Sequence, residues 1–91
     1  MKIARSAAEA IASLHLDKRK AVRAALDALD KDSGVALDVV PLERELAGYS
    51  RLRVGDLRLV FSRDSKGTIH IEHLAQRRTV YDEFRSAKGL G

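Results

Sequence analysis

Residues 47–62 read AGYSRLRVGDLRLVFS and predict a β-hairpin whose register can be written down. Gly55 and Asp56 suit a two-residue turn of type II′, which has glycine at its first position. On either side of this turn, polar and apolar residues alternate with a period of two, which is typical of half-buried strands. The turn then sets the facing pairs, which are Val54 with Leu57, Arg53 with Arg58, Leu52 with Leu59, Arg51 with Val60, and Ser50 with Phe61.

This register sorts the side chains of the hairpin onto two faces of very different character. Apolar side chains share the first face, and these are Leu52, Val54, Leu57, Leu59 and Phe61. The second face carries Arg51, Arg53 and Arg58. Like charges placed directly opposite each other destabilise a sheet by roughly 0.2–1 kcal/mol per pair. The second face is therefore predicted to attract an anion.

The composition limits the class of protein. A chain of 91 residues fits one compact domain with a single core. The sequence contains no cysteine, which excludes disulfides and thiolate metal sites. No apolar run approaches the roughly 18 residues that span a bilayer, and the beginning MKIARSAAEA has no continuous apolar segment. We therefore expect a soluble, cytoplasmic protein.

The net charge of +4 is concentrated in the second half of the chain. Residues 1–50 carry eight basic and eight acidic side chains, whereas residues 51–91 carry nine basic and five acidic ones. A basic field on one side of a protein attracts polyanions, above all the phosphates of nucleic acids. A basic surface that only keeps the protein soluble would give the same charge count.

The segment before the hairpin predicts a helical hairpin. Residues 1–5 suffice only for an edge strand, and Ser6 with Glu9 forms a capping box that predicts a helix start at Ser6. Asp17 is expected to cap a second helix. Apolar residues recur at helical spacing in both helices, namely Ala8, Ile11, Ala12 and Leu14 in the first and Ala21, Val22, Ala25, Leu26 and Leu29 in the second.

The remaining segments complete an α+β fold. Residues 35–40 before Pro41 are interpreted as an extended connector, and residues 68–75 as a third long strand with a bulge near Glu72 and His73. Residues 80–88 predict a short terminal helix, in which Phe84 is expected to pack on the sheet. The predicted fold is an N-terminal helical hairpin packed on a small antiparallel β-sheet, in the order β-α-α-β-β-β, followed by a short C-terminal helix.

Two stretches together resemble the RelE/ParE toxin superfamily. They are LAGYSRLRVGDLRLVF at residues 46–61 and RRTVY at residues 77–81. In that superfamily the core reads L-x-G, then Y-R-L-R-x-G-x-Y-R followed by a hydrophobic residue, and later R-x-x-V-Y. The resemblance implies one RelE-like toxin domain over residues 1–91. It also implies a type II toxin–antitoxin system in which a cognate antitoxin covers the basic surface.

Within this superfamily the resemblance implies one of two activities. The RelE-like branch cleaves mRNA in the ribosomal A site without a metal or other cofactor. Membership of this branch would make the protein an endoribonuclease that inhibits translation. The ParE-like branch inhibits DNA gyrase by binding. A toxin-fold module that only binds nucleic acid or antitoxin, with weak or no catalysis, remains a third hypothesis.

The resemblance favours the nuclease, because this sequence has a basic or phenolic side chain at every position that corresponds to the site of the RelE-like nucleases. These positions are Arg51, Arg53, Arg58, Arg77 or Arg78, and Tyr81. Guanidinium groups bind phosphate oxygens in a bidentate manner and stabilise the charge that develops during attack by a neighbouring 2′-hydroxyl. An exposed Tyr81 could transfer a proton or stack on a base, although an aromatic residue here could equally anchor the last helix.

One departure from the family pattern concerns the general base. The founding RelE type has lysines where this chain has Arg51 and Arg53, and arginine stays protonated because its pKa exceeds about 12. Other members of the superfamily use a carboxylate or a histidine as the base, so the resemblance implies such a residue here. The candidates near the hairpin are Glu43, Glu45, His70 and His73.

Overall fold

The computed structural model describes residues 1–31, 36–76 and 84–85. In this part of the chain, five strands form one sheet with the order β1-β5-β4-β3-β2. The strands are β1 (Lys2–Ile3), β2 (Asp38–Pro41), β3 (Tyr49–Val54), β4 (Leu57–Arg63) and β5 (Ile69–Gln76), and the helices are α1 (Arg5–Ala12) and α2 (Leu16–Lys31). A short 3-10 turn at Arg44–Leu46 lies between β2 and β3.

The hairpin of β3 and β4 has the predicted register. Every predicted pair is present, from Ser50 opposite Phe61 to Val54 opposite Leu57. Gly55 has a φ of +62°, and Asp56 is not among the residues with positive φ. This combination is the one that a type II′ turn requires at its two central positions.

The predicted bulge in β5 is also present. Val60 pairs with His73, whereas the next residue of β4, Phe61, pairs with Ile71. Glu72 is therefore the extra residue that β5 inserts between two pairs. Residues three positions apart in a regular strand point to opposite faces. The bulge changes this and keeps Ile71 and Leu74 on the same apolar face.

The two helices pack on one face of the sheet, as predicted, and enclose the main core. Its buried residues are Ala7 and Ile11 of α1, Val22, Leu26 and Leu29 of α2, and Leu52, Leu57, Leu59, Phe61, Ile69 and Ile71 of the sheet. Within residues 1–31, 36–76 and 84–85, no helix has both the length and the apolar character to cross a membrane.

The predicted start of α1 was wrong. The helix begins at Arg5 with Ala4 as its N-cap residue, and no side chain caps it. The Ala4 N–H donates to the Ile71 carbonyl at 2.8 Å, and the Ala4 carbonyl accepts from Ala8 N–H at 2.9 Å. This attachment of Ala4 to β5 places the helix start before Ser6, so the Ser6 and Glu9 capping box does not form.

Other details of both helices also differ from the prediction. In α1 the buried residues are Ala7 and Ile11, whereas Ala8 and Ala12 are exposed. In α2, Asp17 lies in the first turn rather than at the N-cap.

The sheet is larger than predicted and is mixed rather than antiparallel. The expected connector before Pro41 forms β2, which pairs with β3 from Asp38 opposite Arg53 to Pro41 opposite Ser50. At the other edge β1 pairs with β5 in parallel. Of the predicted helix at residues 80–88, Phe84 and Arg85 are described and have helical backbone, and the other residues lie outside the described part.

Candidate nucleic-acid interface

Three arginines lie on the face of the sheet that the helices leave uncovered. Leu52, Leu57 and Leu59 point into the main core. Since successive side chains of a strand point to opposite faces, the neighbouring Arg51, Arg53 and Arg58 point away from the helices. We call the surface that these three residues define the arginine face.

The strand register arranges this face as two rows that run across the sheet. The first row consists of Asp38, Arg53, Arg58 and Ala75, and the second consists of Val40, Arg51, Val60 and His73. The first row therefore places a carboxylate beside two arginines, whereas the second flanks one arginine with two valines.

The three arginines differ in their partners and exposure. Arg51 Nη2 lies 2.9 Å from Asp38 Oδ1, and the Arg51 side chain is only 12% exposed. Arg53 is exposed, and its Nε donates to the Gly55 carbonyl at 3.1 Å. Arg58 is half-buried and makes no hydrogen bond or ion pair within the part of the chain that the structure describes. Of the three arginines, Arg58 is thus the one that no described residue binds, and this makes it the first candidate to bind an anion.

A small apolar cluster covers one end of the arginine face. Leu46, Val60, Ala75 and Phe84 are buried in it. The Phe84 ring packs edge-on against Tyr49 at a centroid distance of 4.9 Å, which confirms the predicted packing role of Phe84. Next to it, Arg85 Nε lies 2.9 Å from Glu45 Oε1. Residues 84–85 therefore contact the sheet beside the arginines rather than on the helical side.

Among the candidate bases, His73 shares a row with one of the arginines. The bulge at Glu72 puts His73 opposite Val60, on the arginine face, with its ring 6.2 Å from that of Phe84. Glu45 is occupied by its ion pair with Arg85. Glu43 is an exposed residue just before the 3-10 turn.

His70 lies near the β4–β5 turn and contacts Asp64. The distance from His70 Nε2 to Asp64 Oδ2 is 3.0 Å. The other carboxylate oxygen of Asp64 accepts hydrogen bonds from the Lys66 and Thr68 amides. The hydrogen bond with His70, and secondarily these backbone amides, hold the pKa of Asp64 below its usual value. His70 is thus tied to the turn rather than placed among the arginines.

The remaining predicted site residues, Arg77, Arg78 and Tyr81, lie outside the described part of the chain. Sequence reasoning missed Asp38, because its link to Arg51 arises from the pairing of β2 with β3. An acidic residue in a segment interpreted as a connector gave no local signal of this contact.

The described residues do not form a metal site. In residues 1–31, 36–76 and 84–85, no three histidine, aspartate or glutamate side chains come together in a group that could hold a metal ion.

Comparison with known proteins finds similarity at the level of structure. The sequence matches no protein-family model and no curated protein. A chain of the RelB–RelE antitoxin–toxin complex from Methanococcus jannaschii matches with a TM-score of 0.74 and 19% identity, covering 92% of this chain and 99% of that one.

Two further complexes share more sequence with this protein. A chain of the archaeal RelE–RelB complex from Pyrococcus horikoshii matches with a TM-score of 0.68 and 28% identity, covering 85% of this chain and 92% of that one. A chain of the toxin–antitoxin complex RelBE2 from Mycobacterium tuberculosis matches with a TM-score of 0.66 and 26% identity, with coverages of 84% and 94%. The protein thus has an α+β fold that also occurs in RelB–RelE toxin–antitoxin complexes.

Proposed function

We propose that residues 1–91 form the toxin of a type II toxin–antitoxin system, which cleaves mRNA in the ribosomal A site and so inhibits translation. Its structural neighbours come from RelB–RelE complexes, and these matches cover 84–92% of the chain. A cognate antitoxin is the proposed partner, and it would inhibit the toxin by covering the arginine face.

The observation that carries this proposal is the common orientation of Arg51, Arg53 and Arg58. On this face Arg53 lies directly opposite Arg58, and a phosphate bound between these two guanidinium groups would relieve their mutual repulsion. RNA supplies such phosphates together with the 2′-hydroxyl that can attack them.

The proposed reaction is transesterification within the RNA. The 2′-oxygen attacks the adjacent phosphorus, the bond from phosphorus to the 5′-oxygen breaks, and the products are a 2′,3′-cyclic phosphate and a 5′-hydroxyl. Arg58, together with Arg53, would stabilise the negative charge on the non-bridging oxygens. This role needs no change in protonation, which suits arginine.

The proton transfers require other groups. The 2′-hydroxyl must lose a proton to a base, and the leaving 5′-oxygen must gain one. We propose His73 as a candidate for one of these transfers because it shares the arginine face, and Tyr81 as a candidate for the other on the basis of the family pattern. Arg77 and Arg78 are proposed as further phosphate ligands on the same basis.

The test is to induce the gene in a bacterial host and map transcript ends by primer extension. We expect growth arrest with new cleavage sites in translated mRNA. Arg58→Gln should abolish cleavage, because it removes the arginine that is open to phosphate. Arg63→Gln is the matched control, since Arg63 is an exposed residue of the same strand whose register places it on the opposite face.

Other results would select other functions. Growth arrest with intact transcripts and gyrase-dependent DNA breaks would replace the nuclease with a DNA gyrase inhibitor. Normal growth at full expression would leave a binding module of the toxin fold. Equal loss of cleavage in the Arg58 and Arg63 variants would show that the arginine face is not the site.

A further inference from the structure

We propose that Asp38 withholds Arg51 from RNA, so that backbone phosphates bind Arg53 and Arg58 instead. Asp38 would then determine how many phosphates the arginine face neutralises. This inference rests on the proposed function in one respect, namely that the arginine face binds RNA. It assigns unequal roles to three arginines that the family pattern treats alike.

The ion pair between Arg51 and Asp38 has a mostly buried guanidinium, unlike an ordinary surface pair of the described residues such as Arg5 with Glu9. The Arg51 side chain is 12% exposed, whereas the Arg5 side chain in the pair with Glu9 is 93% exposed. Solvent screens an exposed pair, but a buried guanidinium depends on its partner because it has lost most of its water. Arg51 is therefore held by Asp38 rather than loosely associated with it.

The neighbours of Arg51 along the sheet offer no alternative partner. Its cross-strand neighbours are Val40 on β2 and Val60 on β4, and neither side chain can accept a hydrogen bond. Asp38 reaches Arg51 diagonally across the same strand pair, and its own side chain is 50% exposed. The carboxylate thus sits at the open edge of the sheet, where an approaching phosphate would have to compete with it.

The effect of Asp38 decreases across the sheet. Asp38 is directly opposite Arg53, and Arg58 is opposite Arg53 on the next strand. Neighbouring strands are about 4.8 Å apart, so the backbone of Arg58 lies about 10 Å from that of Asp38. This separation is close to the Debye length at physiological salt. An anion is therefore repelled over β2 and accepted over β4.

The inference predicts how strongly binding depends on salt. The probe is an oligonucleotide of 2′-deoxythymidine, which presents phosphates but has no 2′-hydroxyl to be cleaved. Salt weakens such binding, and each phosphate that the protein neutralises on a single strand adds about 0.7 to the magnitude of the slope of log K against log salt, which is the quantity called the slope below. We expect Arg58→Gln to reduce this slope by about 0.7 and Arg51→Gln to leave it unchanged.

The decisive variant is Asp38→Asn. Loss of the carboxylate frees Arg51 for a phosphate, so the slope should rise by about 0.7. In the double variant Asp38→Asn with Arg51→Gln, this rise should disappear, because Asp38 acts through Arg51. Asp56→Asn changes the net charge equally but removes a carboxylate that pairs with Lys18 of α2, and it should not change the slope.

A second measurement uses the wild-type chain and so does not depend on the folding of any variant. In a titration with inorganic phosphate followed by the NMR signals of the arginine Nε–H groups, the Arg58 signal should shift and saturate. The Arg51 signal should stay in place.

Several outcomes would overturn the inference. They are a slope reduced by Arg51→Gln as much as by Arg58→Gln, a rise with Asp38→Asn that persists without Arg51, and a phosphate-dependent shift of Arg51 in the wild-type chain. Failure of the wild-type chain to bind the oligonucleotide at low salt would overturn it as well. None of these outcomes depends on mRNA cleavage, so an inactive protein that binds as expected would refute the nuclease and leave the role of Asp38 intact.

Discussion

The two faces of the sheet are built from the same strands and the same register, yet different parts of the chain cover them. On the helical face, Leu52, Leu57 and Leu59 are buried under α1 and α2. On the arginine face, the buried apolar side chains that the structure describes form only the small cluster around Val60 and Phe84, and three arginines lie beside it. Stability is therefore concentrated on one face, which leaves the other available for charges that repel one another.

The first prediction, with the largest expected effect, tests this division of stability. Leu59→Ala should lower the free energy of unfolding by about 2–5 kcal/mol, because it opens a cavity in the main core. Val40→Ala, which truncates a 44% exposed side chain on the arginine face, should change it by less than about 0.5 kcal/mol. Urea denaturation of both variants measures the difference. Comparable losses would contradict the assignment of stability to the helical face.

The second prediction concerns the turn that keeps the faces apart. Gly55→Ala should destabilise the protein by about 1–2 kcal/mol, because its φ of +62° is unfavourable for a residue with a Cβ atom. No heavy atom lies within 4 Å of that added Cβ, so the cost is one of backbone conformation rather than of a clash.

The control for this turn is Ser65→Ala in the β4–β5 turn, an exposed residue without positive φ, which should unfold like the wild type. Equal thermal unfolding of Gly55→Ala and Ser65→Ala would show that the type II′ turn does not hold the register.

The third and smallest effect concerns pH. Because its hydrogen bond with His70 lowers the pKa of Asp64 in the folded protein below the ordinary value of 3.8, the charged carboxylate stabilises the fold above that pH. This contribution is lost as the pH falls through the lowered pKa. Asp64→Asn should therefore flatten the acid limb of the unfolding free energy, measured by urea denaturation at several pH values.

His70→Gln removes the main cause of the lowered pKa and should reduce the same acid limb in part. If both variants retained the acid dependence of the wild type, the contact between Asp64 and His70 would not contribute to it.

The parts of the fold that local chemistry determines could be predicted from the sequence. A period of two and one glycine turn were enough to assign five of the six pairs of the β3–β4 hairpin, and the parity change after Ile71 was enough to locate the bulge. These signals lie within a few residues of the structure that they specify. The catalytic roles of the arginines remain predictions.

The parts that depend on distant pairing could not be predicted. The start of α1 follows from a hydrogen bond between Ala4 and Ile71, which are far apart in the sequence. The strand β2 is short, exposed and ends in Pro41, so it carries little of the alternation that marks a half-buried strand. The ion pair of Arg51 with Asp38 depends on that strand and was missed with it.

The parallel pairing of β1 with β5 has a consequence for the order in which the chain folds during synthesis. Lys2 pairs with His70, so β1 must wait until β5 has been synthesised before this edge of the sheet can form. The β3–β4 hairpin, by contrast, joins residues that are close along the chain and can form early. We therefore expect a nascent chain to hold its β-hairpin before its N-terminal strand has docked, and that docking to be among the last steps of vectorial folding.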